Sequence, residues 1–361
     1  MKNIFSIIVI VLVLIGGYFL LNKKQETQNN EPIKIGMIAG LTGPYGAIGE
    51  NYVKGAQLAI DLLKKEDKKS DITLIVENDD FDTKKALSAY EKLTGVDKVD
   101  ALISETSSAI EAIYDRVTTL GIPVIQGGEQ SRAPTDDNVI QIQPGYYKAE
   151  VALGKHIKES GKNNVVVFVQ NYPAMLRFFD GFQEGYGKEG KKTLVNFGDK
   201  VMKTHALQAF QAKPDAIVFL MFPDDGALLL KELTNLYNKS TRPIFVFDAN
   251  FQAGFSNYEN ILGDLKFLDG SIVNIVKQTM SPEFVTNYKK RWGVEPAIGS
   301  EFGFDAISAL VNNYNSDPKR WVANIKSSQF EGVSGSIRFD DVGVRIPDFK
   351  NTTIKNGEIV Y

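Results

Sequence analysis

The chain has 361 residues, 43% hydrophobic and 24% charged, with a formal net charge of -3; at roughly 150 residues per domain that is the length of two soluble globular domains. No basic block or stripe appears, which argues against a nucleic-acid partner. Cysteine is absent and histidine occurs only at His156 and His205, which excludes disulfides, thiolate metal sites, a cysteine nucleophile and a diacylglyceryl-cysteine anchor, and leaves too little histidine for a metal site or triad.

The first 24 residues stand apart. Lys2 precedes an apolar run from Ile4 to Leu21, broken only by Ser6, Gly16 and Gly17, and Lys23 and Lys24 end it. Eighteen helical residues span about 27 Å, close to the hydrocarbon thickness of a bilayer. The run exceeds a usual signal-peptide core and no small-x-small cleavage site follows it. Residues 1–24 are therefore expected to form an uncleaved signal-anchor helix, with the folded part on the extracytoplasmic side of the cell membrane. A cleaved signal and a secreted or periplasmic product is the second choice. Residues 25–31 read as a polar tether.

From Pro32 onward, short β-branched runs alternate with amphipathic segments. Ile33–Ala39, Ile72–Glu77, Val99–Ser104 and Ile122–Gln126 read as strands. Helices are predicted over Glu50–Lys64, Thr83–Leu93 with Asp82 as N-cap, and from Ser108, which forms a capping box with Glu111. The pattern then restarts. Val165–Gln170 is a continuous apolar run, as in a parallel strand covered on both faces. Ala174–Tyr186 reads as a helix, Thr193–Phe197 as extended, Ala206–Ala212 as a helix, Asp215–Leu220 as a strand, Asp224–Tyr237 as a helix and Pro243–Phe247 as a strand. Pro282–Trp292, Ser300–Tyr314 and Pro318–Lys326 follow as helices, and Gly332–Tyr361 as strands with turns at Asp340–Gly343 and Asn356–Gly357. Two β-α-β series imply an α/β protein of two doubly wound three-layer lobes. Both histidines are expected on exposed helix faces.

Ligands of doubly wound sheets bind beyond the carboxyl ends of the strands, so the loops there are the candidate site. After the first strand comes Leu41-Thr42-Gly43-Pro44-Tyr45-Gly46-Ala47-Ile48-Gly49; its glycine spacing is not that of a dinucleotide fingerprint, and a tight turn under a closely packed helix is the plainer reading. Ser107 and Ser108, in Ser104-Glu105-Thr106-Ser107-Ser108, put hydroxyls beside the free N–H groups of a helix start, a ready anion site or simply a cap. Gly128, Glu129 and Gln130 follow Gly127, where paired glycines let a ligand approach the backbone or make a surface turn. Tyr172 and Phe222 offer rings to a ligand or to the core, and Asp248 offers a carboxylate to an amine or to a turn. Glu77, Asp79, Asp80 and Asp82 lack the glycine and distant glutamate of a calcium loop and read as capping and solvating acids. No metal, no cofactor and no catalytic residue is expected, since no nucleophile–base pair converges in these loops.

Taken in order, Ile33-Lys34-Ile35-Gly36, Leu41–Tyr45, Gly55-Ala56-Gln57-Leu58-Ala59, Asp79–Ala86, Ser107-Ser108, Gly121–Ile125, Lys213–Phe219, Phe304-Asp305-Ala306, Gly332–Gly335 and Arg338-Phe339-Asp340 resemble the type I periplasmic-binding proteins that feed ABC transporters, in particular the leucine/isoleucine/valine-binding group. The resemblance covers nearly the whole chain from residue 32. It implies two lobes joined by three crossovers: 32–146 plus 275–328, and 147–274 plus 329–361. It implies a small polar ligand, an amino acid or amide, held in the interlobe cleft: its carboxylate at Ser107 and the loop after the fourth strand, its face under Tyr172, its amine at Asp248. It implies a monomer that docks on ABC permease subunits, or, alternatively, a receptor that signals to a membrane partner. The chain departs from the group's pattern at Ser104-Glu105-Thr106, Gly128-Glu129-Gln130, Pro173 and Thr204-His205. Glu129 brings a charge that suits a cationic ligand or points to solvent.

Overall fold

A computed structural model describes residues 32–43, 45–65, 71–129, 132–276 and 280–361. The predicted anchor and tether, and Gln130, lie outside the described residues; among these, no helix is long and apolar enough to cross a membrane.

Ten strands arrive in two series: β1 (Ile33–Ala39), β2 (Ile72–Asn78), β3 (Ala101–Ser104), β4 (Val124–Gln126) and β5 (Val139–Pro144), then β6 (Val165–Gln170), β7 (Lys191–Val195), β8 (Ala216–Leu220), β9 (Ile244–Phe247) and β10 (Ile272–Val276). The tail adds β11 (Gln329–Gly332), β12 (Gly335–Arg338), β13 (Val344–Arg345), β14 (Phe349–Lys355) and β15 (Glu358–Ile359). One sheet has the order β13-β5-β4-β3-β1-β2, the other β15-β14-β10-β9-β8-β6-β7. All pairs of the first are parallel, and in the second only β14 and β15 run against their neighbours.

The strands predicted from apolar runs are buried for the same reason that they are apolar: helices cover both faces. Alternation divides β6 between two layers, Val165, Val167 and Val169 packing with Phe178 and Phe182, and Val166 and Phe168 with Leu229 and Leu230. Each such apolar side chain contributes roughly 1.5–3 kcal/mol when fully buried. In the first lobe the helix Gly46–Lys65 packs on Ser300–Asn312 at close range. Gly55 and Gly303 make that approach possible: a Cβ on Gly55 would run into the Ser300 carbonyl, and one on Gly303 into that of Tyr52. Any larger residue at Gly55 forces the pair apart.

Several expectations shift. Elements appear where none was predicted: β5, β10 and the helices Tyr146–Glu159, Ala249–Ala253 and Phe255–Leu262. The helix after Asp82 ends at Glu91 and continues as a π-helical turn, Lys92–Asp97; Asp82 does cap it, accepting from the Lys84 and Lys85 amides at 2.8 and 2.9 Å. The tail divides between lobes. Residues 329–345 were placed with the second lobe, but β13 pairs with β5, and Phe330 and Ile337 pack in the first lobe's core. Buried Arg345 fixes the arrangement, its guanidinium donating to Ser334 Oγ at 2.7 Å, the Ser334 carbonyl at 3.0 Å and the Ile142 carbonyl at 3.3 Å. Only β14 and β15 join the second sheet. His156 is exposed as expected; His205 is not, its side chain being 14% exposed with Nε2 3.1 Å from Asp199 Oδ2.

Candidate functional site

In each sheet the chain runs from a middle strand to one edge and then crosses back, β1 to β2 to β3 and β6 to β7 to β8. The two switch points are therefore flanked by the loops after β1 and β3 in one lobe and after β6 and β8 in the other, which is where this architecture opens a crevice.

The first-lobe loops are tied to one another. Gly40 N–H donates to Glu105 Oε2 at 3.1 Å, and Leu41 N–H to Asn78 Oδ1 at 2.9 Å. The next helix, Ser107–Leu120, is capped by Thr106, not by the predicted Ser108–Glu111 box. Thr106 has extended backbone, its hydroxyl accepting from the Ala109 amide at 3.0 Å and donating to Asp79 Oδ2 at 2.6 Å. Three consecutive hydroxyl residues made the capping position ambiguous by two places. Ser107 and Ser108 are buried in the first turn. Gly128 lies so close to Ser107 that a Cβ would overlap it, and one on Gly127 would press on the Glu105 backbone. These glycines bring two loops of the same lobe together.

The Ser107 N–H expected to meet a ligand carboxylate points across the cleft at Tyr172, whose hydroxyl accepts from it at 3.1 Å. Burial and the nearby Glu105 push the Tyr172 phenol up to about 12, so it stays neutral. Its ring meets Phe222 at 5.4 Å and Phe197 at 5.8 Å, and Tyr45 reaches from the first lobe to Phe222 at 4.9 Å, Phe197 at 5.5 Å and Phe81 at 6.2 Å between ring centroids. The structure thus brings Tyr45, Ser107, Tyr172 and Phe222 together, and adds Phe81 and Phe197. Phe81 escaped the sequence reading because it lies in an acidic turn; its φ of 58° is left-handed and unfavourable for an aromatic residue, and Asp80 before it has φ 50°. Asp80 is held there by Lys85.

One strand further out the chemistry changes. Glu129, after β4, is 8% exposed and does not point to solvent. Its carboxylate accepts from the Tyr146 and Tyr147 amides at 3.1 and 3.3 Å, capping the helix Tyr146–Glu159, whose own N-cap, Gly145, has no side chain to do so. Asp248, after β9, is 1% exposed and caps Ala249–Ala253, accepting from Asn250 N at 3.0 Å and Asn250 Nδ2 at 2.8 Å. Burial pushes both carboxyls up to about 7, against these hydrogen bonds. Between them in chemistry lies a residue the sequence reading missed. Glu150 is fully buried, and neither carboxylate oxygen has a hydrogen-bond partner. Burial, then the fields of Asp248 and Glu129, raise it far above the carboxylate range.

A cavity of about 290 Å³ opens at this end, lined by Tyr146, Asn250, Gln252, Met280, Ile298 and Glu301, among others. Glu301, also missed, is 2% exposed with Oε2 unpartnered, and burial pushes it up to about 7. The volume sits at the low end of the ~300–1,000 Å³ usual for small-molecule pockets. Among the described residues no group of three or more His, Asp or Glu side chains is placed to hold a metal ion.

The model of a family described as periplasmic binding protein matches residues 32–342. The chain belongs to the periplasmic binding protein family. Within that family it is similar to the Leu/Ile/Val-binding protein BraC3 of Rhizobium johnstonii, 24% identical over 221 residues, a stretch covering 58% of this chain and 60% of that protein. Its fold is that of the leucine-binding protein LivK of Thermotoga maritima, with 22% identity, a TM-score of 0.73 and coverage of 91% and 97% of the two chains. A solute-binding protein from R. palustris solved in complex with benzoate matches at 19% identity and a TM-score of 0.72, covering 91% and 95%. The two-lobed α/β architecture expected from the sequence is thus the fold of this family, whose members are solute binders.

Proposed function

We propose that this periplasmic binding protein captures a small polar solute between its lobes by hinge closure and hands it to ABC permease subunits at the membrane. The observation that carries the reading is the meeting of strand-end loops from both sheets, with the contact between Ser107 and Tyr172 at one end and the cavity between Asn250 and Glu301 at the other. Sheet membership supports two bodies, 32–144 with 282–345 and 146–276 with 349–361, hinged where the chain crosses between them. Closure would expel water and strengthen each polar contact in the cleft. Tyr45, Ser107, Ser108, Gly128, Tyr172 and Phe222 are assigned to one end of that cleft, Glu129 and Asp248 to the other. The apolar run Ile4–Leu21 is assigned as the anchor holding the lobes at the outer membrane face.

Small-angle scattering of the full chain in detergent, with and without a mixture of amino acids, amides and amines, tests capture directly. The radius of gyration is expected to fall on addition. A single unchanging body under every condition sinks the reading. Asp248→Asn, which keeps the cap on Asn250, is expected to weaken whatever solute produces the change at least tenfold.

A further inference from the structure

Resting on the capture reading, we propose that the solute is an organic cation, a protonated amine or guanidinium without a carboxylate, bound at the cavity edged by Glu301, whose wall residues Ala249 and Asn250 adjoin Asp248 and whose wall residue Tyr146 lies one turn before Glu150 on the same helix. Glu301 lines the cavity nearly fully buried with Oε2 unpartnered, and Glu150 is fully buried with both oxygens unpartnered. A buried carboxylate without a donor costs free energy that a protein keeps only where something else supplies the donor. Glu129 and Asp248 add charge of the same sign, their fields acting on Glu150. Arg345 and Arg177 contribute positive field to Glu301 and Glu129 but no hydrogen bond to the unpartnered oxygens: the Arg345 guanidinium is turned to Ser334, Ser336 and the Ile142 carbonyl, and Arg177 lies 3.6 Å over the Tyr147 ring. A metal ion would need ligands converging within coordination distance, and the described acids do not provide that set. An organic cation can distribute N–H donors over separated carboxylates, with the Tyr146 ring beside it.

The opposite end of the cleft explains why the solute carries no carboxylate. A zwitterionic amino acid needs an anion site, and the Ser107 N–H at the start of Ser107–Leu120 already donates to the Tyr172 hydroxyl. An α-carboxylate would have to displace that phenol from among its aromatic neighbours, while a bare amine displaces nothing.

Isothermal titration of the full chain in detergent with agmatine, putrescine and L-leucine decides the matter. Agmatine or putrescine is expected to bind at least tenfold more tightly than L-leucine, and E301Q and E150Q each to weaken that binding at least tenfold. Tighter binding of L-leucine, accompanied by compaction in scattering, overturns the cationic solute and leaves capture standing. Amine binding unchanged in both variants overturns it too, because the attraction would then lie elsewhere on the surface. No heat from any of the three probes overturns the inference. Scattering that stays constant with the mixed solutes would in addition remove the reading it rests on. E150Q also checks folding, since loss of binding must come with a thermal midpoint no lower than that of the unaltered chain.

Discussion

The two ends of the interlobe cleft solve opposite problems. At the switch points, Tyr45 of one lobe, with Phe81 at its side, packs against Phe197 and Phe222 of the other, which also flank Tyr172, and the N–H of Ser107 is met by the Tyr172 phenol. One strand further out, Glu129 and Asp248 are spent on helix caps, Glu150 is buried with no donor at either oxygen, and Glu301 lines a cavity with Oε2 unpartnered. The first end is internally satisfied and stabilises the contact between lobes. The second is internally frustrated, and its cost is recovered only when a guest supplies positive charge. Satisfied groups hold a fold and unsatisfied ones wait for a partner, so position in the family's cleft is a poorer guide to the ligand than the hydrogen-bond balance of each side chain.

The contrast is broken most severely at the aromatic end. Phe222→Ala removes a ring with centroids 4.9–5.4 Å from those of Tyr45, Tyr172 and Phe197. It is expected to destabilise by about 2–3 kcal/mol, somewhat less than a fully buried Phe→Ala because the ring is only partly covered. Chemical denaturation reads it; a cost below about 0.5 kcal/mol would mean the ring cluster contributes little to holding the lobes together.

Stability is expected to depend on pH as well. Burial raises Glu105 at the aromatic end, and Glu129, Asp248 and Glu301 at the acidic end, from ordinary values of 3.8–4.5 to about 7. Over that window the folded chain keeps protons that the unfolded chain has released, so stability falls as pH rises from about 4.5 through about 7, and Glu150, raised further, extends the fall. The solute-free protein is expected to be about 2 kcal/mol less stable at pH 8 than at pH 5.5, after generous discounting for relaxation around the charges. A thermal midpoint that rises between these values would contradict the buried, donor-poor picture. Glu150→Gln isolates one group: burial makes the folded chain hold the Glu150 proton, so the variant is expected to lose less stability than the unaltered chain as pH rises from 5.5 to 8, read by chemical denaturation at the two pH values.

Much of the fold was legible because it follows from periodicity. β1 falls where the β-branched run of Ile33–Ala39 lies, and the fully buried β6 where Val165–Gln170 shows no polar break. The stretch over β5 was opaque because Gln141 and Gln143 interrupt it; Gln141 is nonetheless buried, accepting from Gln126 Nε2 at 3.2 Å, so a polar pair stands in for apolar alternation. The assignment of residues 329–345 fails because nothing in the local sequence marks Arg345 as buried; it donates to the Ile142 carbonyl of the first lobe and to the Ser334 carbonyl of its own segment. At the site, Tyr45, Tyr172 and Phe222 were identifiable from their places at strand ends. Glu150 and Glu301 sit inside helices, where a glutamate normally signals a solvated face, and only the packing of Tyr146–Glu159 and Ser300–Asn312 turns them inward. The sequence leaves the role of Asp248 open between ligand and turn, and its hydrogen bonds to Asn250 make it the N-cap of Ala249–Ala253.

The smallest expected effect separates the two ends most finely. Tyr172→Phe keeps the ring among Phe197 and Phe222 and deletes only the oxygen that accepts from Ser107. A buried N–H left without its acceptor costs about 1 kcal/mol, less if water enters. The same deletion empties the anion position at the helix start, whose N–H groups favour negative charge. Tyr172→Phe should therefore be slightly less stable and bind acetate or L-leucine more tightly than the unaltered chain does. Isothermal titration with acetate reads the second effect. If stability is unchanged and no carboxylate gains affinity, then the phenol does not occupy an anion site, and the division of the cleft into a satisfied and a waiting end fails.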